Sequence, residues 1–280
     1  MKKNNRVVIL GSKSFIASEL IKKLKKNNDN YLLINRNKIN FKKENSTNKL
    51  IKILRKKDIV VFIAAVAPVK NFKMLNENLV ICKHISSAIK KKGIKHLLYV
   101  SSDAVYSDTK NLITEKSQTE PENLHGFMHL MRENILKLLN IRLCIVRPTL
   151  VYGTADPHNG YGPNKFIRLA QLKKNILIFG KGEEKRDHIH VKDVGLVLYN
   201  LIKIKYEGIV NIVTGNAISF LTIALKIKNT YKIKLKYLKR IGPMPHNGYR
   251  AFNNKLIKKI LPKVEFDNIL DWVEKKEKYK

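Results

Sequence analysis

Two histidines four residues apart, His125 and His129, stand in a stretch with helical periodicity, downstream of an adjacent hydroxyl and carboxylate, Ser102 and Asp103. A spacing of four places both rings on one face of a helix. An imidazole titrates near neutrality, at an ordinary pKa of about 6.5, so His125 can move a proton without a neighbouring cation to tune it. A serine hydroxyl such as Ser102 can hydrogen-bond a reacting oxygen, and Asp103 offers a second route for the proton. These residue types suit proton transfer at a hydroxyl or carbonyl. The histidines have other uses. Zinc binds such pairs, but no third ligand is evident. They can also be ordinary polar helix residues in a protein that binds without catalysing.

A second constellation lies near the start of the chain. Gly11-Ser12-Lys13-Ser14-Phe15-Ile16-Ala17-Ser18 directly follows a short apolar run, Arg6 to Leu10. A turn that cradles pyrophosphate needs a residue free to take positive φ, a place where backbone approaches phosphate, and close packing of helix on sheet. Gly11 supplies the first, and Ser14 and Ala17 are small enough for the others. The phosphates would lie at the N-terminus of the next helix, beside Phe15 and Ile16, where unpaired N–H groups favour negative charge. The next apolar run ends in Asn35-Arg36, where an NAD-selective domain places an acid for the ribose hydroxyls. No acid stands here, and Arg36 with Lys13 can pair with a 2′-phosphate, so the reading is NAD(P) with a lean to NADP.

Positioning these groups requires a regular scaffold, and the chain alternates short apolar runs with helical periodicity from the outset. Strands are expected at Arg6–Leu10, Tyr31–Ile34, Asp58–Ala64, His96–Val100 and Arg142–Val146. Helices are expected at Phe15–Leu24, Asn48–Leu54, Asn76–Lys91 and Pro121–Leu139. Strands apolar on both faces imply a parallel sheet covered by helices. The fold class is α/β: a doubly wound parallel sheet (Rossmann) with a smaller C-terminal substrate lobe. We place the dinucleotide-binding domain at 1–149 and the lobe at 150–280, with some of its segments returning to the main sheet. The run Asp156 to Asn164 is rich in turn formers and reads as a loop. Helices follow near Lys165–Leu172, Val191–Ile202, Phe220–Lys228 and Asn254–Ile260.

Composition narrows the function classes. The formal charge is +34, from 56 basic and 22 acidic residues, and such a field attracts polyanions. The lysines are spread through every segment, however, and no basic stripe is interleaved with aromatics, so no dedicated nucleic-acid partner is expected. No apolar run approaches the roughly 20 residues of a membrane span. Val7 to Leu10 is shorter than the roughly 7–15-residue core of a signal peptide. Cys82 and Cys144 read as buried reduced thiols, and the expected location is cytoplasmic.

The motifs together resemble those of the extended short-chain dehydrogenase/reductases, the nucleotide-sugar epimerases, dehydratases and reductases. Phe62-Ile63-Ala64-Ala65-Val66 is similar to the family's third strand ending beside the cofactor. Asn78 is similar to its helix asparagine that orders the active site. Tyr99-Val100-Ser101-Ser102-Asp103-Ala104-Val105-Tyr106 closely matches the fourth-strand signature, and Arg147-Pro148-Thr149 resembles the exit from the fifth strand toward nicotinamide. Arg186-Asp187-His188-Ile189-His190-Val191-Lys192-Asp193-Val194 matches a late family segment.

The resemblance implies that Ala64, Ala65, Asn78, Ser101, Pro148 and Thr149 face the cofactor and that Ser102 is the catalytic hydroxyl. It further implies that Asn164, Arg186 and Arg250 meet the diphosphate of a sugar-nucleotide substrate, and that the assembly is a homodimer. The chain departs from the pattern at the family's Tyr-x-x-x-Lys pair, whose places His125 and His129 take. In relatives the tyrosine is the acid/base, while the lysine lowers its pKa and binds nicotinamide-ribose hydroxyls. His129 can still donate to such a hydroxyl. The implied reaction is hydride transfer at a sugar carbon, leading to epimerisation, dehydration or ketosugar reduction. The alternative is a non-catalytic member that binds dinucleotide to sense or scaffold.

Overall fold

A computed structural model describes residues 5–277. They divide into two compact units. The first takes residues up to Ser107, then Ser117–Pro148 and Val194–Asn211; the second takes Asp108–Lys116, Thr149–Asp193 and the chain from Ile212 onward.

The first unit begins β1 (Val7–Leu10), α1 (Phe15–Lys26), β2 (Tyr31–Ile34), α2 (Ser46–Ile53), β3 (Ile59–Phe62), α3 (Phe72–Lys92), β4 (His96–Val100), α4 (Leu124–Lys137) and β5 (Arg142–Pro148). The strands are short runs of branched and aliphatic residues, and β1, β3 and β4 are buried along their whole length. Such strands need cover on both faces. In the second unit β6 (Leu150–Tyr152), α5 (Pro163–Gln171), β7 (Ile176–Phe179) and β8 (Lys185–His190) follow. The helix α6 (Val191–Ile204) and β9 (Gly208–Ile212) then complete the first unit. Its sheet is parallel, in the order β2-β1-β3-β4-β5-β9. The helices α2, α3 and α4 pack in sequence. Gly195 of α6 lies against Glu19 and Leu20 of α1, where a Cβ would come within 2.5 Å of the Glu19 Cβ.

Strand order reverses beside β1, with β2 on one side and β3 on the other. In a doubly wound sheet the crevice beyond the strand ends at such a point is where ligands bind. The sheet's core includes Val8, Leu10, Val60, Phe62, Leu97 and Tyr99.

The second unit continues with β10 (Ala217–Ser219), α7 (Phe220–Tyr231), β11 (Leu235–Leu238), β12 (Tyr249–Arg250), α8 (Lys255–Ile260) and α9 (Ile269–Glu274). Here β8 is the hub: it pairs with β10, β12 and β6, while β7 and β11 form a separate ribbon. Aromatic side chains fill its core, among them Tyr152, Phe166, Phe220 and Trp272. The excursion Asp108–Lys116 joins this unit through a bridge from Ile113 to Phe252. Both cysteines are buried and free, and burial pushes Cys82 up to about 11 and Cys144 to about 12.

Candidate active site

The turn after β1 has two reasons to carry glycine. Gly11 sits at φ 96°, and a Cβ there would lie 2.6 Å from the Ala64 nitrogen and 2.7 Å from its Cα. Both the left-handed backbone and the close approach to Ala64 exclude a side chain. Ser14 caps α1, its Oγ accepting from the Ala17 N–H at 3.1 Å. With that donor taken, the N–H groups of Phe15 and Ile16 remain at the tip of a twelve-residue helix, whose dipole favours an anion. Ala17 is buried and Lys13 exposed. After β2, Asn35 Oδ1 accepts from the N–H groups of Asn37 (3.0 Å) and Lys38 (3.2 Å). The asparagine thus shapes the loop, and Arg36 is the exposed side chain it presents. These residues fit a dinucleotide: a glycine cradle, a helix tip, and a cation where a ribose acid would otherwise stand.

Beyond β4 the chain enters a single turn of 3-10 helix, Asp103–Val105, capped by Ser102. The Ser102 hydroxyl accepts from the Ala104 N–H (3.2 Å) and reaches Asp103 Oδ1 at 3.4 Å. Asp103 is buried and Ser102 half-buried. Helix α4, capped by Asn123 Oδ1 on the Gly126 N–H, packs on this turn through Gly126. A Cβ at Gly126 would stand 2.1 Å from the Ala104 carbonyl oxygen and 2.6 Å from the Pro121 Cβ. His125 precedes this glycine in the first turn of α4.

One helical turn later His129 is buried, its ring edge-on to His125 with centroids 4.8 Å apart. Its Nδ1 lies 2.8 Å from the Tyr99 hydroxyl. Burial holds His129 well below the usual histidine value, reinforced by His125 and by the Arg132 guanidinium. The ring is therefore neutral at ordinary pH.

Asn78 has no exposed surface and orders the neighbouring loop. Its Oδ1 accepts from the Val66 N–H (3.0 Å), and its Nδ2 donates to the carbonyls of Val66 (2.9 Å) and Met74 (2.8 Å). Its side chain is thereby committed to the end of β3, beside half-buried Ala64 and exposed Ala65. Ser101 is committed likewise, donating to Glu133 Oε1 at 2.6 Å. Glu133 in turn holds Arg147 through both oxygens, at 2.9 and 2.5 Å, and the guanidinium stacks on Tyr106 at 4.7 Å. Arg147 carries β5 through Pro148, two residues past its expected end. Thr149 turns its hydroxyl to the Asp187 carbonyl (3.1 Å).

In the second unit, pairing of β12 with β8 sets Arg250 opposite Arg186. Two guanidinium groups on adjacent strands repel one another and favour an anion. Arg250 Nη1 donates to Asp108 Oδ1 at 2.9 Å, and His246 Nδ1 approaches the same oxygen at 2.6 Å. Burial, then the charges of Arg186 and Arg250, keep His246 below its usual pKa despite Asp108. Arg186 lies 4.0 Å from Glu184. Asp187, its neighbour in sequence, accepts from the N–H groups of Thr214 (3.0 Å) and Gly215 (2.7 Å). Asn164 accepts from the Gly153 N–H (3.0 Å) and donates to Asp156 (2.9 Å), so its amide ties a loop together.

Sequence reading missed Tyr99, Gly126, Arg132, Glu133 and Asp108 as parts of these sites. Glu133 had a signal, since it continues the spacing of four from His125 and His129. Asp108 had none, because its partners lie about 140 residues away in the chain.

The profile of the NAD dependent epimerase/dehydratase family matches residues 7–212. A putative UDP-glucose 4-epimerase of Methanocaldococcus jannaschii is 30% identical over 241 residues, covering 76% of this chain and 78% of that protein. A dTDP-D-glucose 4,6-dehydratase of Dictyostelium discoideum is 29% identical over 196 residues, which take in 61% of this chain but 44% of that protein's length. Among solved structures, the UDP-N-acetylglucosamine 4-epimerase of Methanobrevibacter ruminantium M1, in complex with UDP-N-acetylmuramic acid, superposes with a TM-score of 0.83 at 25% identity, covering 99% of this chain and 97% of that one.

Proposed function

The chain belongs to the NAD dependent epimerase/dehydratase family, and from that membership we propose that it is an enzyme that uses a nicotinamide dinucleotide to transform a sugar nucleotide. The bound dinucleotide supplies hydride transfer at a sugar carbon. Gly11, Ser14, Phe15 and Ile16 hold its phosphates, and the small, buried Ala17 lets α1 pack close behind them. Ser102 hydrogen-bonds the reacting oxygen, His125 relays the proton, and His129 donates to a ribose hydroxyl. Asn164 shapes the substrate loop, while Arg186 and Arg250 meet the substrate's phosphates. The observation that supports this reading is the packing of Gly126 on the Asp103–Val105 turn, on the same helix as His125 and His129, whose ring centroids stand 4.8 Å apart. Native mass spectrometry of freshly purified protein tests it. A retained dinucleotide, together with turnover of a nucleoside-diphosphate sugar, is expected. Binding of dinucleotide with no turnover across a broad sugar-nucleotide panel would overturn it.

The cofactor preference follows from Arg36. With a cation and no acid at the end of β2, NADP(H) binds at least as tightly as NAD(H), and Arg36→Asp shifts preference toward NAD. Calorimetry finding NAD tenfold tighter on the unmodified protein, about 1.4 kcal/mol, would refute the assignment.

Arg250 answers a separate question. Arg250→Ala is expected to weaken sugar-nucleotide affinity by roughly 2–4 kcal/mol, as for one lost partner of a buried charged pair, while dinucleotide affinity stays intact. An equal loss for both ligands would make this arginine a structural partner of Asp108 alone.

A further inference from the structure

We propose that Tyr99 and Arg132, neither of them a member of the histidine pair, fix the ring tautomer of His129 so that its Nε2–H is a permanently oriented donor. The inference deepens the reading above and rests on it only for what accepts that hydrogen, a ribose hydroxyl.

The hydrogens around the ring can be placed one by one. Arg132 lies on α4 one turn beyond His129 and is 1% exposed. Its Nε and Nη2 donate to the Asn78 carbonyl at 3.1 and 2.7 Å, Nη2 also to Asn78 Oδ1 at 2.8 Å, and Nη1 to the Ala64 carbonyl at 3.0 Å. The guanidinium lies over the Phe62 ring at 5.0 Å, and Phe62 in turn packs on Tyr99. Among the described residues no carboxylate pairs with it. A guanidinium only donates, so it offers the Tyr99 hydroxyl no acceptor, while its charge reaches that phenol.

Burial pushes the Tyr99 phenol up, so it keeps its proton. That proton needs an acceptor, and among the described residues the one hydrogen-bonding atom opposite the hydroxyl, apart from Arg132, is His129 Nδ1 at 2.8 Å. The phenol therefore donates to Nδ1. A neutral imidazole carries one ring hydrogen, and with Nδ1 accepting it sits on Nε2. The titratable groups whose charge reaches this cluster are His125 and Glu133 on α4, Cys82 on α3 and Arg132 itself.

The arrangement has a functional consequence. The cation is tied to the Asn78 and Ala64 carbonyls, and the hydrogen bond to the ring runs from Tyr99 to His129. A fixed donor thus stands at the motif's second position without a charge on the donor itself.

Nitrogen-15 NMR of the imidazole rings tests this in the full-length protein without ligand. The signal is assigned by its loss in His129→Asn, since the chain has eight histidines. The expected spectrum shows a pyridine-type Nδ1 and a protonated Nε2. Tyr99→Phe, which removes only the hydroxyl, is expected to yield mixed tautomers and to raise the dinucleotide dissociation constant roughly 2–10-fold, the loss of one oriented hydrogen bond. Arg132→Met removes the neighbouring cation, which can only donate, and a measurable share of the Nδ1–H form is expected. If that variant does not fold, the wild-type and Tyr99→Phe spectra suffice to decide. An Nδ1–H or doubly protonated ring at neutral pH in the wild type overturns the proposal, as does an unchanged tautomer in Tyr99→Phe. Because the tautomer is read without ligand, it stands or falls separately from the sugar-nucleotide reading, which fails instead on absent turnover.

Discussion

His125→Phe is expected to lower kcat by about 10²–10⁴-fold, the contribution of one positioned acid/base, while dinucleotide affinity stays within a few fold. Phenylalanine keeps the ring's bulk beside Gly126 and removes only the titrating nitrogens. The effect should therefore fall on proton transfer and leave the packing of α4 on the Asp103–Val105 turn unchanged. His129→Ala is expected to act differently. It deletes a donor and leaves the Tyr99 hydroxyl without its acceptor, so cofactor binding weakens more than the chemical step. The double change His125→Tyr with His129→Lys restores the family's usual pair at the same spacing and is expected to keep or raise activity. The lysine would then stand close to the Arg132 cation, so a drop in thermal stability in that variant is a consistent outcome. Steady-state kinetics on an authentic substrate, with dinucleotide binding measured in parallel, separates these effects. Unchanged turnover in His125→Phe would mean that the proton travels through Asp103 or solvent.

Much of the scaffold was legible because its signals are local. Short fully apolar runs such as Val7–Leu10 and Ile59–Phe62 declare buried strands, and the expected bounds of Tyr31–Ile34 and His96–Val100 agree with those observed. The glycine turn was legible too, since Gly11 follows a strand directly, although the sequence could not reveal that Ala64 is what crowds it. Side-chain commitments were harder to read. Asn35, Asn78 and Asn164 all carry side-chain hydrogen bonds to loop backbone, and a motif cannot distinguish an amide that touches ligand from one that shapes a nearby loop. Asp187, beside Arg186 in sequence, likewise serves the backbone of the Thr214–Gly215 turn. Long-range partners such as Asp108 for Arg250, or Arg147 for Glu133, exist only once the chain is folded.

Glu133→Ala is expected to cost about 3–5 kcal/mol of stability, because removing one member of a buried pair leaves the other charge uncompensated. Arg147 is 2% exposed and Glu133 fully buried, so water cannot take over the carboxylate's role. A further group loses its partner at once. The Ser101 hydroxyl has Glu133 Oε1 as its acceptor, and both Arg147 bonds at 2.9 and 2.5 Å end on the same side chain. Chemical denaturation followed by circular dichroism measures the loss, and a change below about 1 kcal/mol would show that Arg147 finds support elsewhere, with the Tyr106 ring the nearest alternative. A compensated variant, Glu133→Leu with Arg147→Met, removes both charges and is expected to recover most of the stability. The pair also bears on the chemistry. Glu133 fastens α4 to the ends of β4 and β5, one turn beyond His129 and, through Ser101, one residue before Ser102. If its service is to hold that register, the compensated variant folds but binds dinucleotide less tightly, since its apolar packing fixes α4 without directional bonds. If stability and binding both return in full, the ion pair is a matter of folding alone, and Gly126 by itself keeps the histidines in place.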